Sequence, residues 1–133
     1  IVSQQYTKGL GATIPELNEV LGAYDPKEKT SFSCYDEPSI LSKVEELNKK
    51  WVIIAGIESH ICVLQTTIDL IANGYVPVLI EDCISSRREN DKRIAIERMR
   101  KTGAIITTYE SILFELCRHS GAEQFRTISK LVK

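Results

Sequence analysis

The sequence predicts an α/β protein built on a doubly wound parallel sheet, with helices on both of its faces. Three observations carry that expectation. Continuous apolar runs at residues 51–55, 76–80 and 104–107 have the composition of strands covered on both faces. Each is followed by a segment whose apolar residues recur at three- and four-residue steps, the period of a helix. Strand and helix then alternate to the end of the chain, which is the pattern of right-handed βαβ units.

Taken in order, the elements begin with residues 1–3, whose Ile1 and Val2 suit the end of a strand. Residues 4–38 are rich in Gly, Pro, Thr and Ser. A short helix is expected at 15–21, with Pro15 in its first turn, and the rest reads as loop. Leu41, Val44 and Leu47 place a helix over 40–48. The strand WVIIA at 51–55 comes next. Ser59 is the expected cap of a helix carrying Ile61, Leu64, Ile68 and Ile71, stopped by Asn73-Gly74. A strand at 76–80, a polar connection at 81–88 and a helix from Asn90 or Asp91 to Lys101, closed by Gly103, follow. A strand at 104–107 and helices at 111–119 and 122–132 complete the chain. No internal repeat or linker interrupts it, so residues 1–133 are read as a single domain. In such a sheet ligands bind beyond the carboxyl ends of the strands.

Composition narrows the function. Of 133 residues, 43% are hydrophobic and 26% charged, enough apolar surface for one core. Seventeen Lys and Arg against eighteen Asp and Glu leave a net charge of −1. That balance speaks against nucleic acid as a partner, because a polyanion-binding module shows a basic excess. No apolar run approaches the ~20 residues that span a bilayer, so no membrane association is expected. Cys34, Cys62, Cys83 and Cys117 stand far apart without C-x-x-C spacing. They are read as free thiols in a reducing, cytoplasmic setting rather than as zinc ligands or disulfides. The chain opens on Ile1 without an initiator Met, so targeting to mitochondria or elsewhere stays open.

The turn leaving the strand at 51–55 holds the strongest chemistry. Gly56 permits a sharp bend, and Cys62 falls in the first turn of the next helix. Unpaired N–H groups and the positive helix end there favour a thiolate. Cys62 is therefore a candidate nucleophile with neighbouring amides as an oxyanion hole, although a small buried hydrophobe in ICVL fits the same spacing. Cys34, Cys83 and Cys117 are read as structural. His60, two residues from Cys62, points elsewhere on a helix and is read as a capping residue. Glu81 and Asp82 suit capping or ion pairing, and Arg87 alone among the arginines could face the site.

Several segments together carry a family resemblance: GIESHICVLQTTIDLIANGY at 56–75, VLIEDCISSRRENDKRIAIERMRKTGAIITTYESILFEL at 78–116, SQQYTKGLG at 3–11, TIPEL at 13–17, KTSFSC at 29–34 and QFRTISKLVK at 124–133. The chain resembles the isochorismatase-like cysteine hydrolase superfamily, and within it the isochorismatase domain-containing proteins. The resemblance implies a Rossmann-like parallel sheet and assembly into homo-oligomers. It implies a catalytic Asp, Lys and Cys, of which Cys62 and Lys29 match the latter two. It also implies a cis peptide joining Ile57 to Glu58 in the turn before the nucleophile.

The chain departs from the family pattern in two places. The family Asp lies on a first strand that has no counterpart here, and Asp25, Asp36, Asp69, Asp82 and Asp91 belong to other motifs. The first βα unit is thus expected to be missing, which makes the sequence a fragment or leaves a gap for another segment or chain to fill. Nicotinamidase relatives carry an Asp and two His just after the second strand, where this chain has Gln4-Gln5-Tyr6-Thr7-Lys8. A metal-independent reaction without cofactor is therefore expected. The leading expectation is hydrolysis of a small-molecule amide, ester or vinyl ether. Cys62 attacks, Lys29 stabilises charge, and the amides of Ile61 and Cys62 bind the oxyanion in the turn shared with Ile57 and Glu58. The alternative is a non-catalytic binding protein that keeps the fold.

Overall fold

A computed structural model describes all 133 residues. Strand β1 (Ser3–Gln5) leads through α1 (Thr7–Leu10) and α2 (Pro15–Leu21) to β2 (Lys27–Lys29) and then α3 (Pro38–Leu47). Strand β3 (Trp51–Ile57) runs into a π-helical turn (Ser59–Val63) continuous with α4 (Leu64–Ala72). Strand β4 (Val76–Ser85), α5 (Glu89–Thr102), β5 (Ile105–Thr107), α6 (Tyr109–Cys117) and α7 (Phe125–Leu131) follow.

All strand pairs are parallel, as the βαβ pattern requires, but they form two sheets rather than one. One sheet is β1–β2, with Gln5 opposite Lys29. The other has the order β3–β4–β5. The core sits between the second sheet and α4 and α5, where Leu79 and Met99 lose all solvent contact and Val63, Leu64, Ile84, Ala95 and Ile96 pack around them.

Several expectations need correction. The first strand is Ser3–Gln5 rather than residues 1–3. The stretch read as loop holds β2 and α1, whose three- and four-residue lengths fall below what periodicity resolves. Strand β3 is not covered on both faces: Trp51 is 61% exposed and Ile53 50% on one face, while Ile54 on the other packs against the core. Strand β4 continues through the supposed polar connection to Ser85. It shifts register so that Gly56 pairs with Ile84 and Ile57 with Ser85. Pairing with β3 satisfies the backbone of these polar residues, which overrides their weak strand propensity. Cys83 accordingly lies within β4, not after it.

Helix ends follow local chemistry more closely. Helix α5 closes in a Schellman motif: the Gly103 N–H donates to Arg100 O at 3.1 Å and the Ala104 N–H to Met99 O at 3.0 Å. Gly103 sits at φ 113°, a conformation only glycine takes without strain. Asp82 acts as a cap, its Oδ1 accepting from the Tyr109 N–H at 2.9 Å at the start of α6.

Candidate active site

The carboxyl ends of β1, β2 and β3 converge with the π-helical turn around a cavity of about 500 Å3. Gln5, Lys29, Ile57, Glu58, Ile61 and Cys62 all line it. Every residue singled out from the sequence as a site residue therefore meets in one place. A second hollow of about 410 Å3 lies at the opposite end of β3 and β4, near Lys50 and Tyr75, away from the candidate chemistry.

Lys29 ends β2 and is 4% exposed. Its ammonium donates to Gln5 Oε1 at 2.5 Å and to the carbonyls of Ser31 and Phe32, each at 2.9 Å. All three partners are neutral, and none of the ion pairs in the chain includes Lys29. Three acceptors satisfy the donors of this buried nitrogen and fix it at the cavity wall. The same Gln5 Oε1 accepts from the Cys62 thiol at 4.0 Å, so one amide oxygen bridges the lysine and the cysteine. Gln5 is held in turn by its Nε2, which donates to Thr30 O at 2.9 Å. Sequence reading missed Gln5. Its signal was the register that sets β1 against β2, which is a tertiary fact.

The peptide between Ile57 and Glu58 is cis, as the resemblance implies. Beyond it, Arg87 grips Glu58 as a fork. Nε donates to Oε1 at 3.0 Å, Nη2 to Oε2 at 2.7 Å, and the Arg87 backbone N–H to Oε1 at 3.1 Å. These hydrogen bonds to Arg87 hold the Glu58 carboxyl at about 2, well below its ordinary value, and raise the guanidinium in return. Arg87 also lines the cavity, so it does face the site.

Local geometry corrects three further expectations. Ser59 is no cap: Glu58 is the residue preceding the turn, and the Ser59 Oγ is fully buried with no hydrogen-bond partner. The Ile61 N–H donates to Glu58 O at 3.1 Å, so it is already committed rather than free for an oxyanion. Glu58 O accepts a second bond, from the Val63 N–H five residues on, which is the π-helical turn. His60 does not cap either; its Nδ1 meets Ser86 Oγ at 2.9 Å.

The remaining thiols are unpaired. Desolvation first, and the Asp82 carboxylate second, push the Cys83 thiol up from its ordinary value. Cys117 at the end of α6 donates to His119 O at 3.5 Å. No three His, Cys, Asp or Glu side chains converge as metal ligands, and no helix is long and apolar enough to cross a membrane.

Comparison with known proteins identifies the family. Residues 7–111 match the isochorismatase domain. Isochorismatase family protein 1B of Dictyostelium discoideum is 41% identical over the whole chain, which spans 66% of that protein. Isochorismatase domain-containing protein 1 of Salmo salar is 38% identical, and the chain spans 47% of it. Among solved structures, one named MAR1 ribonuclease from Caenorhabditis elegans superposes with a TM-score of 0.89 at 39% identity. The match covers 98% of this chain and 67% of that one. The chain thus spans about two thirds or less of the curated relatives it matches, and it belongs to the isochorismatase family.

Proposed function

We propose that the protein is a hydrolase of a small amide, ester or vinyl ether, using Cys62 as its nucleophile. The observation that carries this reading is the Lys29–Gln5–Cys62 arrangement at the wall of one cavity. The Cys62 thiolate attacks the substrate carbonyl, forming a C–S bond and an oxyanion that faces the Lys29 ammonium. Collapse breaks the C–N or C–O bond and releases an amine or alcohol, which takes a proton. Water then hydrolyses the thioester and restores the thiol. A vinyl ether needs only proton transfer and water addition at the same site. The proton-transferring Asp of the family resemblance is not among these residues. The carboxylate that does line the cavity, Glu58, is committed to Arg87. No residue pattern calls for a metal or cofactor in this reading.

The test is turnover of a panel of small amides, esters and vinyl ethers by the longest native form of the protein. Cys62→Ala is expected to abolish amide and ester hydrolysis while leaving the circular dichroism spectrum and Tm unchanged. Undiminished turnover would exclude the covalent route. A non-catalytic binding role predicts no turnover of any panel member by the unmodified protein.

RNA cleavage is a second reading, favoured by the name ribonuclease carried by the 39% identical nematode protein. The balanced charge of this chain supports the small-molecule reading instead, since an RNA groove draws on a basic surface. Degradation of a labelled RNA that is lost in Cys62→Ala would reverse the preference. Self-association into a homo-oligomer also belongs to the proposal. Leu10, Ile14, Leu17, Val20 and Leu21 expose apolar surface along α1 and α2, and Leu10 reaches the rim of the cavity. A cytoplasmic location completes the reading; imaging of the tagged full-length protein tests it.

A further inference from the structure

We propose that Cys34 is a resolving thiol for Cys62, so that peroxide converts the two into a reversible disulfide that closes the site. The proposal rests on Cys62 being the reactive thiol of the proposed hydrolase and concerns its regulation.

The two cysteines are 28 positions apart in sequence, yet the fold brings them to the same strand and the same helix. On the strand side, the Cys34 thiol meets Ser3 Oγ at 3.5 Å, and the Cys62 thiol meets Gln5 Oε1 at 4.0 Å. Ser3 and Gln5 are two apart in β1 and so share one face of it, about 7 Å from each other along the strand. On the helix side, the Cys34 N–H donates to Thr66 Oγ1 at 2.8 Å. Thr66 lies four residues after Cys62, one turn further along and on the same face. Ser3, Gln5 and Cys62 all line the cavity, and Cys34 touches its wall through Ser3. Disulfides form between Cα atoms roughly 4.4–6.8 Å apart, so the cross-link requires the segment between β2 and α3, held by the Thr66 hydroxyl and by the Lys29 bonds to the Ser31 and Phe32 carbonyls, to shift toward Cys62. Cys83 in β4 and Cys117 at the end of α6 make no contact with this group, which makes them internal controls.

The chemistry needs one oxidant, a hydroperoxide. The Cys62 thiolate attacks the peroxide oxygen, the O–O bond breaks, and the departing hydroxide takes a proton to leave as water. Sulfur has lost two electrons and is a sulfenic acid. The Cys34 thiolate then attacks that sulfur, an S–S bond forms, the S–O bond breaks, and a second water leaves. Two thiols and one hydrogen peroxide thus give one disulfide and two waters. The product has no nucleophile, and a small dithiol restores it.

The experiment treats the protein with stoichiometric hydrogen peroxide, alkylates the remaining thiols, and maps disulfides by peptide mass spectrometry. The expected result is a Cys34–Cys62 linked peptide that dithiothreitol abolishes, with Cys83 and Cys117 recovered alkylated. In Cys34→Ser the linked peptide is lost. Cys62 is then captured by dimedone as the sulfenic acid and proceeds to the sulfinic acid, which the unmodified protein accumulates more slowly. Sulfinic acid forming equally fast with and without Cys34 would overturn the proposal, as would Cys62 linking instead to Cys83 or Cys117. Dimedone capture without cross-linking would remove this proposal alone. Complete inertness of Cys62 to peroxide, dimedone and iodoacetamide would count against the catalytic reading as well.

Discussion

At the scale of single residues, the site is shaped by where polar groups find partners. Arg87 supplies Glu58 with three hydrogen bonds through its side chain and one through its backbone, which is why that carboxyl stays ionised down to about 2. Because the folded value lies below the ordinary one, the fork adds stability that is complete above pH 4.5. That contribution fades as the pH falls through the window between 4.5 and about 2. Carbon-detected titration of Glu58 should give a midpoint near 2 in the parent protein and one close to the ordinary carboxylate range in Arg87→Ala. A midpoint unmoved by that substitution would mean another group holds the charge. Ser59 presents the opposite case, a buried hydroxyl with no partner. Replacing it with Ala removes an unsatisfied group and little volume. Ser59→Ala should therefore leave stability unchanged or raise it by about 1 kcal/mol in urea unfolding. A loss of that size or more would reveal a bond that the hydroxyl makes.

At the scale of elements, caps and turns decide where helices and strands end. The Schellman closure of α5 places Gly103 at φ 113°, and a Cβ there meets no neighbour within 4 Å. Gly103→Ala thus isolates backbone strain from steric clash and should cost about 1–2 kcal/mol, read from the denaturation midpoint at constant m. No change would place that residue in a different conformation in solution. Periodicity and punctuation made α2, α5 and the second and third apolar runs readable from sequence. The same rules failed on β2 and on the second half of β4. Residues 81–85 become strand because Gly56 and Ile57 offer them a partner across a register shift, and no local pattern encodes that partner. The π-helical turn was equally hidden. In it Glu58 O accepts from both the Ile61 and the Val63 amides, and Ser59 is buried.

At the scale of the whole molecule, two small parallel sheets share one site but little else. The β1–β2 sheet meets the rest through the side chain of Gln5 with Cys62, and just beyond β2 the Cys34 backbone N–H donates to Thr66. Much apolar surface stays open as a result: Trp51 and Ile53 on one face of β3, and Val20, 84% exposed, on α2. Such surface favours association. Light scattering behind size exclusion should find a dimer or larger species, and Val20→Asp with Leu17→Asp should shift it toward monomer. A monomeric mass for the parent protein at micromolar concentration would remove the homo-oligomer from the reading.

The sequence by itself determined the α/β class, the order of the main elements and the segment that holds Cys62, because hydrophobic period, glycine stops and proline starts act over a few residues. It also marked Lys29 and the Ile57–Glu58 turn through family resemblance. Only the tertiary structure decided that Gln5 joins Lys29 to Cys62, that Arg87 claims Glu58, and that Cys34 meets Ser3 and Thr66. Those are contacts between residues 24 to 57 positions apart. Strand register and the winding of one helical turn set them, and both emerge only when the separate elements pack.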